Sequence, residues 1–179
     1  TSGVTFTNNG TITHSGNGWD MNSTNSTGGG LPNASGATIT YSGTAITMEG
    51  NFTQNGTFDL TGVTITFDDT GAASDSTISS TSTIQGNITI NKDVSGADTT
   101  LGSNLTITGN FTRTDGPITN PGAAYILNIQ GNFSMSTTDT FGGANLTLTM
   151  GGSGTQTITQ NNSGTMSGVF TVNKSGGSA

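Results

Sequence analysis

The sequence predicts an all-β fold, a parallel β-solenoid of about eight coils, and three observations carry that reading. A strand phrase recurs: the triplet Thr-Φ-Thr, with Φ apolar, occurs at Thr11-Ile12-Thr13, Thr38-Ile39-Thr40, Thr64-Ile65-Thr66, Thr106-Ile107-Thr108, Thr147-Leu148-Thr149 and Thr157-Ile158-Thr159. A second phrase, Gly-Asn-Φ-Thr/Ser, begins at Gly50, Gly86, Gly109 and Gly131. Composition is the third: Thr and Ser supply 58 of 179 residues, Gly 29, and only 13 residues are charged. Internal repetition fixes architecture before local chemistry does, and a chain this poor in Leu, Ala, Glu and Lys does not build helices.

Taken in order, strand character begins at Val4-Thr5-Phe6-Thr7 and Thr11-Ile12-Thr13, then gives way to a polar loop between Asp20 and Ala37. It resumes at Thr38-Ile39-Thr40 and runs through Val63–Phe67, Asn87–Ile90 and Leu105–Thr108 in strict alternation. A period of two marks a strand with one face buried. The last strand is Val169-Phe170-Thr171-Val172. Between strands lie Asn9-Gly10, Asn17-Gly18, Asn55-Gly56, Gly142-Gly143 and Gly151-Gly152, pairs that form turns because Gly and Asn tolerate positive φ.

Strand centres at Ile12, Ile39, Ile65, Ile88, Ile107, Leu127, Leu148 and Val172 are spaced 27, 26, 23, 19, 20, 21 and 24 residues apart. One coil of a solenoid fits that spacing, and eight coils rising about 4.8 Å each give a rod of about 38 Å. Ile39, Ile65 and Ile107 are expected in one inner ladder with threonines outward, where a β-branched side chain suits a pleated surface. Asparagines at corners are expected to stack amide to amide along the axis. The alternative is an antiparallel β-sandwich of pilin type, which the Asn-Gly pairs favour through tight hairpins. The whole chain, 1–179, reads as one domain.

The stretches GNFTQNGTFDLTGVTITFDDTG, from Gly50 to Gly71, and GTQTITQNNSGTMSGVFTVNKSGG, from Gly154 to Gly177, resemble the strand-repeat regions of large bacterial and archaeal surface proteins. These regions are similar to the β-helices of filamentous-haemagglutinin-like adhesins and autotransporter passengers. The resemblance covers the chain from about Thr38 onward and implies a right-handed β-helix at the cell surface. It implies no activity. Such regions belong to chains of many hundreds of residues.

Thirteen of the 19 asparagines stand in Asn-x-Ser/Thr sequons: Asn9, Asn22, Asn25, Asn33, Asn51, Asn55, Asn87, Asn104, Asn110, Asn132, Asn145, Asn161 and Asn173. About six are expected by chance at this Ser and Thr content. Covalent glycans need an exposed asparagine, so Asn22, Asn25 and Asn33 in the polar loop are the first candidates. The Gly-Asn-Φ-Thr/Ser examples also arise from strand alternation alone.

Catalytic chemistry finds no footing. The chain has one histidine, one glutamate and no cysteine, so neither a catalytic triad nor a metal-ligand set can be assembled from sequence, and no cofactor is implied. His14 reads as a solvated strand end, and Asp68-Asp69 as a polar turn with calcium as the competing role. Trp19 reads as a lid over the first coil, with stacking on a sugar as the competing role. Three basic residues, Lys92, Arg113 and Lys174, against ten acids exclude a nucleic-acid surface. No apolar run reaches the roughly 20 residues of a membrane helix.

Neither end carries an amphipathic capping helix, and an uncapped solenoid leaves its inner ladder open. Val4 and Phe6 at one end, with Val169, Phe170 and Val172 at the other, are therefore candidate assembly residues. The expected function is structural: an extracellular subunit of a filament, sheath or surface coat whose partners are copies of itself, joined head to tail. Next stands a segment of a large cell-surface adhesin. An ice-binding solenoid comes third, because Thr-Φ-Thr rows on one flat face order water, although such coils are usually more regular. With no initiator Met at Thr1, the expectation is that a signal peptide has been removed or that the sequence is part of a longer chain.

Overall fold

The computed structural model describes residues 5–21, 30–69, 73–120, 122–136, 138–161 and 164–176. It is all strand, wound as a parallel β-solenoid with three faces. The first coil holds β1 (Thr11–His14), β2 (Gly18–Met21) and β3 (Leu31–Asn33). The second holds β4 (Thr38–Tyr41), β5 (Ala45–Met48) and β6 (Phe52–Gln54), and the third β7 (Thr57–Phe58), β8 (Thr64–Asp68) and β9 (Ser76–Ser80). Next come β10 (Asn87–Asn91) and β11 (Thr99–Leu101), then β12 (Leu105–Ile107) and β13 (Phe111–Asp115). They are followed by β14 (Tyr125–Ile129), β15 (Phe133–Met135), the long β16 (Phe141–Met150), β17 (Ile158–Gln160) and β18 (Met166–Val172).

One face carries seven hydrogen-bonded strands in the order β2-β5-β8-β10-β13-β15-β17. Six turns separate its first and last members, fewer than the eight coils expected, and span about 29 Å at about 4.8 Å per turn. A second face runs β1-β4-β7, continues through the bridge Ile84–Ile107, and ends β12-β14-β16-β18. The third runs β3-β6-β9-β11 and then through Ile118 to Phe141.

Every strand pair among the described residues is parallel, which excludes the sandwich. Its supporting argument fails for a physical reason. A tight Asn-Gly hairpin needs positive φ at both residues, yet no described non-glycine residue has positive φ, and Gly10, Gly18 and Gly56 are not among the glycines that do.

The phrase Gly-Asn-Φ-Thr/Ser has a part for each letter. Glycine allows corners to stack backbone on backbone: a Cβ on Gly109 would lie 2.3 Å from the Gly86 carbonyl, and one on Gly131 2.3 Å from the Gly109 carbonyl. Asparagine then caps the next coil, since Asn87 Oδ1 accepts from the Asn110 N–H and Asn110 Oδ1 from the Asn132 N–H, both at 2.9 Å. Asn132 Oδ1 accepts from the Thr157 N–H at 2.8 Å. Φ enters the core, and the hydroxyl residue faces out. The expected amide-to-amide stacking is found elsewhere, where Asn8 Nδ2 donates to Asn33 Oδ1 at 2.9 Å and Asn33 Nδ2 to Gln54 Oε1 at 3.2 Å.

The core is a set of ladders. On the seven-stranded face, Trp19, Ile46, Ile65, Ile88, Phe111, Phe133 and Ile158 are successive partners. Ile39, Ile65 and Ile107 are all buried, but they do not share one ladder. Ile39 pairs with Ile12 and Phe58, and Ile107 with Ile84 and Ile129, on the second face. The same Thr-Ile-Thr frame serves two faces, so the centres Ile65 and Ile88 were counted with strands to which they do not pair.

Candidate assembly interfaces

The two ends of the ladders are the regions where the solenoid departs from its own rule. At β17 and β18, inward positions lose their cover. Ile158 is 42% exposed where its partner Phe133 is fully buried; Phe170 is 47% exposed over Leu148, and Val172 52% over Met150. Val169 is also exposed, but it pairs with Thr147, an outward position beside Ile126 of the preceding coil. It belongs to the outer surface and not to the ladder end. Lys174 folds back on this last coil, its Nζ donating to Gly151 O at 3.2 Å, to Gln156 Oε1 at 2.6 Å and to Gly154 O.

The opposite end is aromatic. Trp19 lies 5.0 Å from His14, 5.1 Å from Tyr41, 6.2 Å from Phe58 and 6.4 Å from Phe6, between ring centroids. Trp19 thus packs over the first coils as the lid expected of it. His14 ends β1 as expected, but it is half-buried and stacks on Tyr41 at 5.0 Å. Offset and edge-on aromatic pairs of this kind add to the area they bury. The Tyr41 hydroxyl donates to Ala45 O, and burial pushes its phenol above the ordinary range. Phe6 stays 47% exposed at the rim, and Val4 lies outside the described residues.

Between these ends the charges have gone inside. Lys92 Nζ lies 2.9 Å from Asp69 Oδ1 with both side chains fully buried, and donates to Glu49 O at 2.7 Å and Asp68 O at 3.0 Å. Asp69 is therefore committed to an ion pair, not to a calcium site or a simple polar turn. Burial raises its carboxyl above the usual range, with Lys92 opposing. Arg113 is fully buried in a ladder position between Ile90 and Met135. Its Nη1 reaches Met135 Sδ at 3.5 Å, while Nε and Nη2 have no hydrogen-bond partner. Burial lowers its guanidinium from the ordinary value, against the opposing fields of Asp139 and Asp115. Alternation carried the signal for this burial, because Arg113 has the same phase as Phe111 in Phe111-Thr112-Arg113.

The sequon asparagines divide by place. Asn9, Asn51, Asn55, Asn104, Asn110, Asn132, Asn161 and Asn173 are exposed, and Asn87 and Asn145 half-buried. Asn33 is fully buried in β3, its Nδ2 donating to Gln54 Oε1 and to Thr57 O, each at 3.2 Å. The folded chain gives no access to that nitrogen, so the polar-loop assignment of Asn33 is corrected to a strand inside the solenoid. Asn22 and Asn25 lie outside the described residues.

No group of three or more metal-ligating side chains occurs among the described residues, and no helix there is long and apolar enough to cross a membrane. The geometry defines a class, a three-faced parallel β-solenoid whose ladder positions are exposed at β17 and β18. No family model matches the sequence, and no curated protein or solved structure is significantly similar to it.

Proposed function

We propose that the chain is a structural subunit of an extracellular filament, sheath or surface coat, and that copies join head to tail by extending the parallel sheets. The observation that carries this is the open ladder end of Ile158, Phe170 and Val172. A strand edge with an uncovered apolar ladder is a template for further parallel strands. A second copy added in the same sense sets the β17 face against the β2 face and β18 against β1. Phe170 and Val172 then meet the rim around Ile12, and Ile158 meets Trp19. Such a contact is heterologous, and repeated it generates an open polymer. The hydroxyl- and amide-rich exterior suits a solvent-facing coat, and exposed sequons off the seven-stranded face, such as Asn9, Asn104 and Asn173, are places for glycans.

The test is light scattering with electron microscopy of purified protein, compared with the double variant I158D/F170D. Concentration-dependent rods from the parent chain and monomers from the variant are the expected result. A parent chain that stays monomeric at high concentration rejects self-assembly. It favours a segment of a larger cell-surface protein, in which further coils of the same chain cover these ends.

A further inference from the structure

The outward side of the seven-stranded face carries a feature independent of the ends. Thr47, Thr66, Thr89, Thr112, Ser134 and Thr159 are successive register partners, one from each of six consecutive strands. Two residues earlier on the same strands stand Ala45, Thr64, Asn87, Asn110, Asn132 and Thr157, so that this second row is polar from Thr64 onward. Parallel pairing sets the spacing within each row at about 4.8 Å and between the rows at about 6.6 Å. We infer that this face is a binding surface for ice, the ordered lattice of water.

Four observations on the face support an ordered, uncharged partner. The row hydroxyls from Thr47 to Thr159 make no side-chain hydrogen bond among the described residues, whereas on the third face Thr77 and Thr100 bond each other at 3.1 Å. The neighbouring amides are held in place, each Oδ1 fixed by the next coil's N–H. Five of the six row residues are threonines, whose χ1 is restricted by branching at Cβ, so few orientations are open to their methyl and hydroxyl groups; Ser134 is the sixth. The two rows from Thr47 and Thr64 onward carry no charge in a chain of net charge -7; Asp20, Asp68 and Asp115 stand at their margins. A mineral surface would require charge there. A crystalline polysaccharide would require an outward aromatic platform, and the aromatics of this face, Trp19, Phe67, Phe111 and Phe133, point inward.

Irregular coil length does not disturb the array. Partners along this face are 27, 19, 23, 23, 22 and 25 residues apart, from Trp19 to Ile158. The variation is taken up at the corners, and the rows stay in register. The repeat of about 4.8 Å along each row lies close to the short repeat of the prism plane of hexagonal ice, so bound water can continue the hydroxyl pattern of the row into the solid.

The experiment uses unglycosylated protein, monomeric fraction, in nanolitre osmometry and partition into a slowly growing ice hemisphere. The parent chain is expected to facet the crystals, open a gap between melting and freezing, and enter the ice. T89K and T112K are expected to lose all three effects, while T53K, on the third face, keeps them. Round crystals with no gap from the parent chain overturn the inference, a result that needs no variant to fold. Retained activity in both T89K and T112K, equal loss in T53K, or capture by crystalline cellulose or chitin in place of ice also overturns it. Filament formation is read separately by scattering, so either proposal can fail without the other.

Discussion

Ile88 and Ile158 occupy the same ladder on the same face, yet one is fully buried and the other 42% exposed. Leu148 and Phe170 repeat the contrast on another face, at 3% and 47%. Local sequence is alike in each pair; what differs is whether a coil lies on both sides. In a solenoid, burial is a property of the stack and not of the strand.

The largest effect is expected where the middle coils hold a charge. Lys92→Met leaves the buried Asp69 carboxylate without its cation and should cost about 3–5 kcal/mol in urea denaturation. Adding Asp69→Asn should recover a large part of that loss. A cost under about 1 kcal/mol for the single variant would mean that the pair is solvated, unlike the rest of the interior.

Next comes the matched pair itself. Ile88→Ala should lose about 2–5 kcal/mol, and Ile158→Ala about 1 kcal/mol or less when measured on the monomer. Equal losses would show that the last coil is covered in solution. Arg113 reverses the sign: it fills a ladder position with two of its three guanidinium nitrogens unpartnered. Arg113→Met places an apolar chain between Ile90 and Met135 and should stabilise the fold by about 1–4 kcal/mol. Destabilisation would reveal that the guanidinium is satisfied by its surroundings.

The smallest effect is pH dependence. Burial raises Asp98, together with the field of Asp75. A carboxyl raised in the folded state contributes stability that is complete below its ordinary value of 3.8 and is lost as pH rises through the folded value. The melting temperature should therefore climb as pH falls from about 7 toward about 4. Asp59, lowered by its hydrogen bonds to Thr61, acts in the opposite sense but is exposed. A melting temperature that falls steadily over this window would contradict the assignment.

The solenoid was legible because period-two alternation and recurring corner glycines both survive in the sequence. The face occupied by each strand was not legible. Thr38-Ile39-Thr40 and Thr64-Ile65-Thr66 are the same words, and only the corners between them decide that the first pairs with β1 and the second with β5. Asn33 was misplaced because a sequon in a Gly- and Ser-rich stretch reads as a loop, while Leu31-Pro32-Asn33 is too short to show a period. Ile158, Phe170 and Val172 were legible as strand residues, but their exposure was not, because it depends on what stacks against them. The division between Phe170 and Val169 needed the register, since neighbouring residues point opposite ways only once one of them is anchored to a partner.

The uneven corners carry a consequence for how such a chain can change. Successive coils differ by up to eight residues, 27 against 19, while the strands they join remain paired. Loop-closure entropy rises by only about 0.6 kcal/mol for each doubling of a loop, so insertions and deletions at a corner are nearly neutral, whereas a single residue added inside β8 or β10 would turn every later side chain of that strand over. Mutation by slippage is thus steered to the edges of the prism. A foreign peptide grafted at such a corner would leave the rod as a ruler, with display sites set at intervals of one coil.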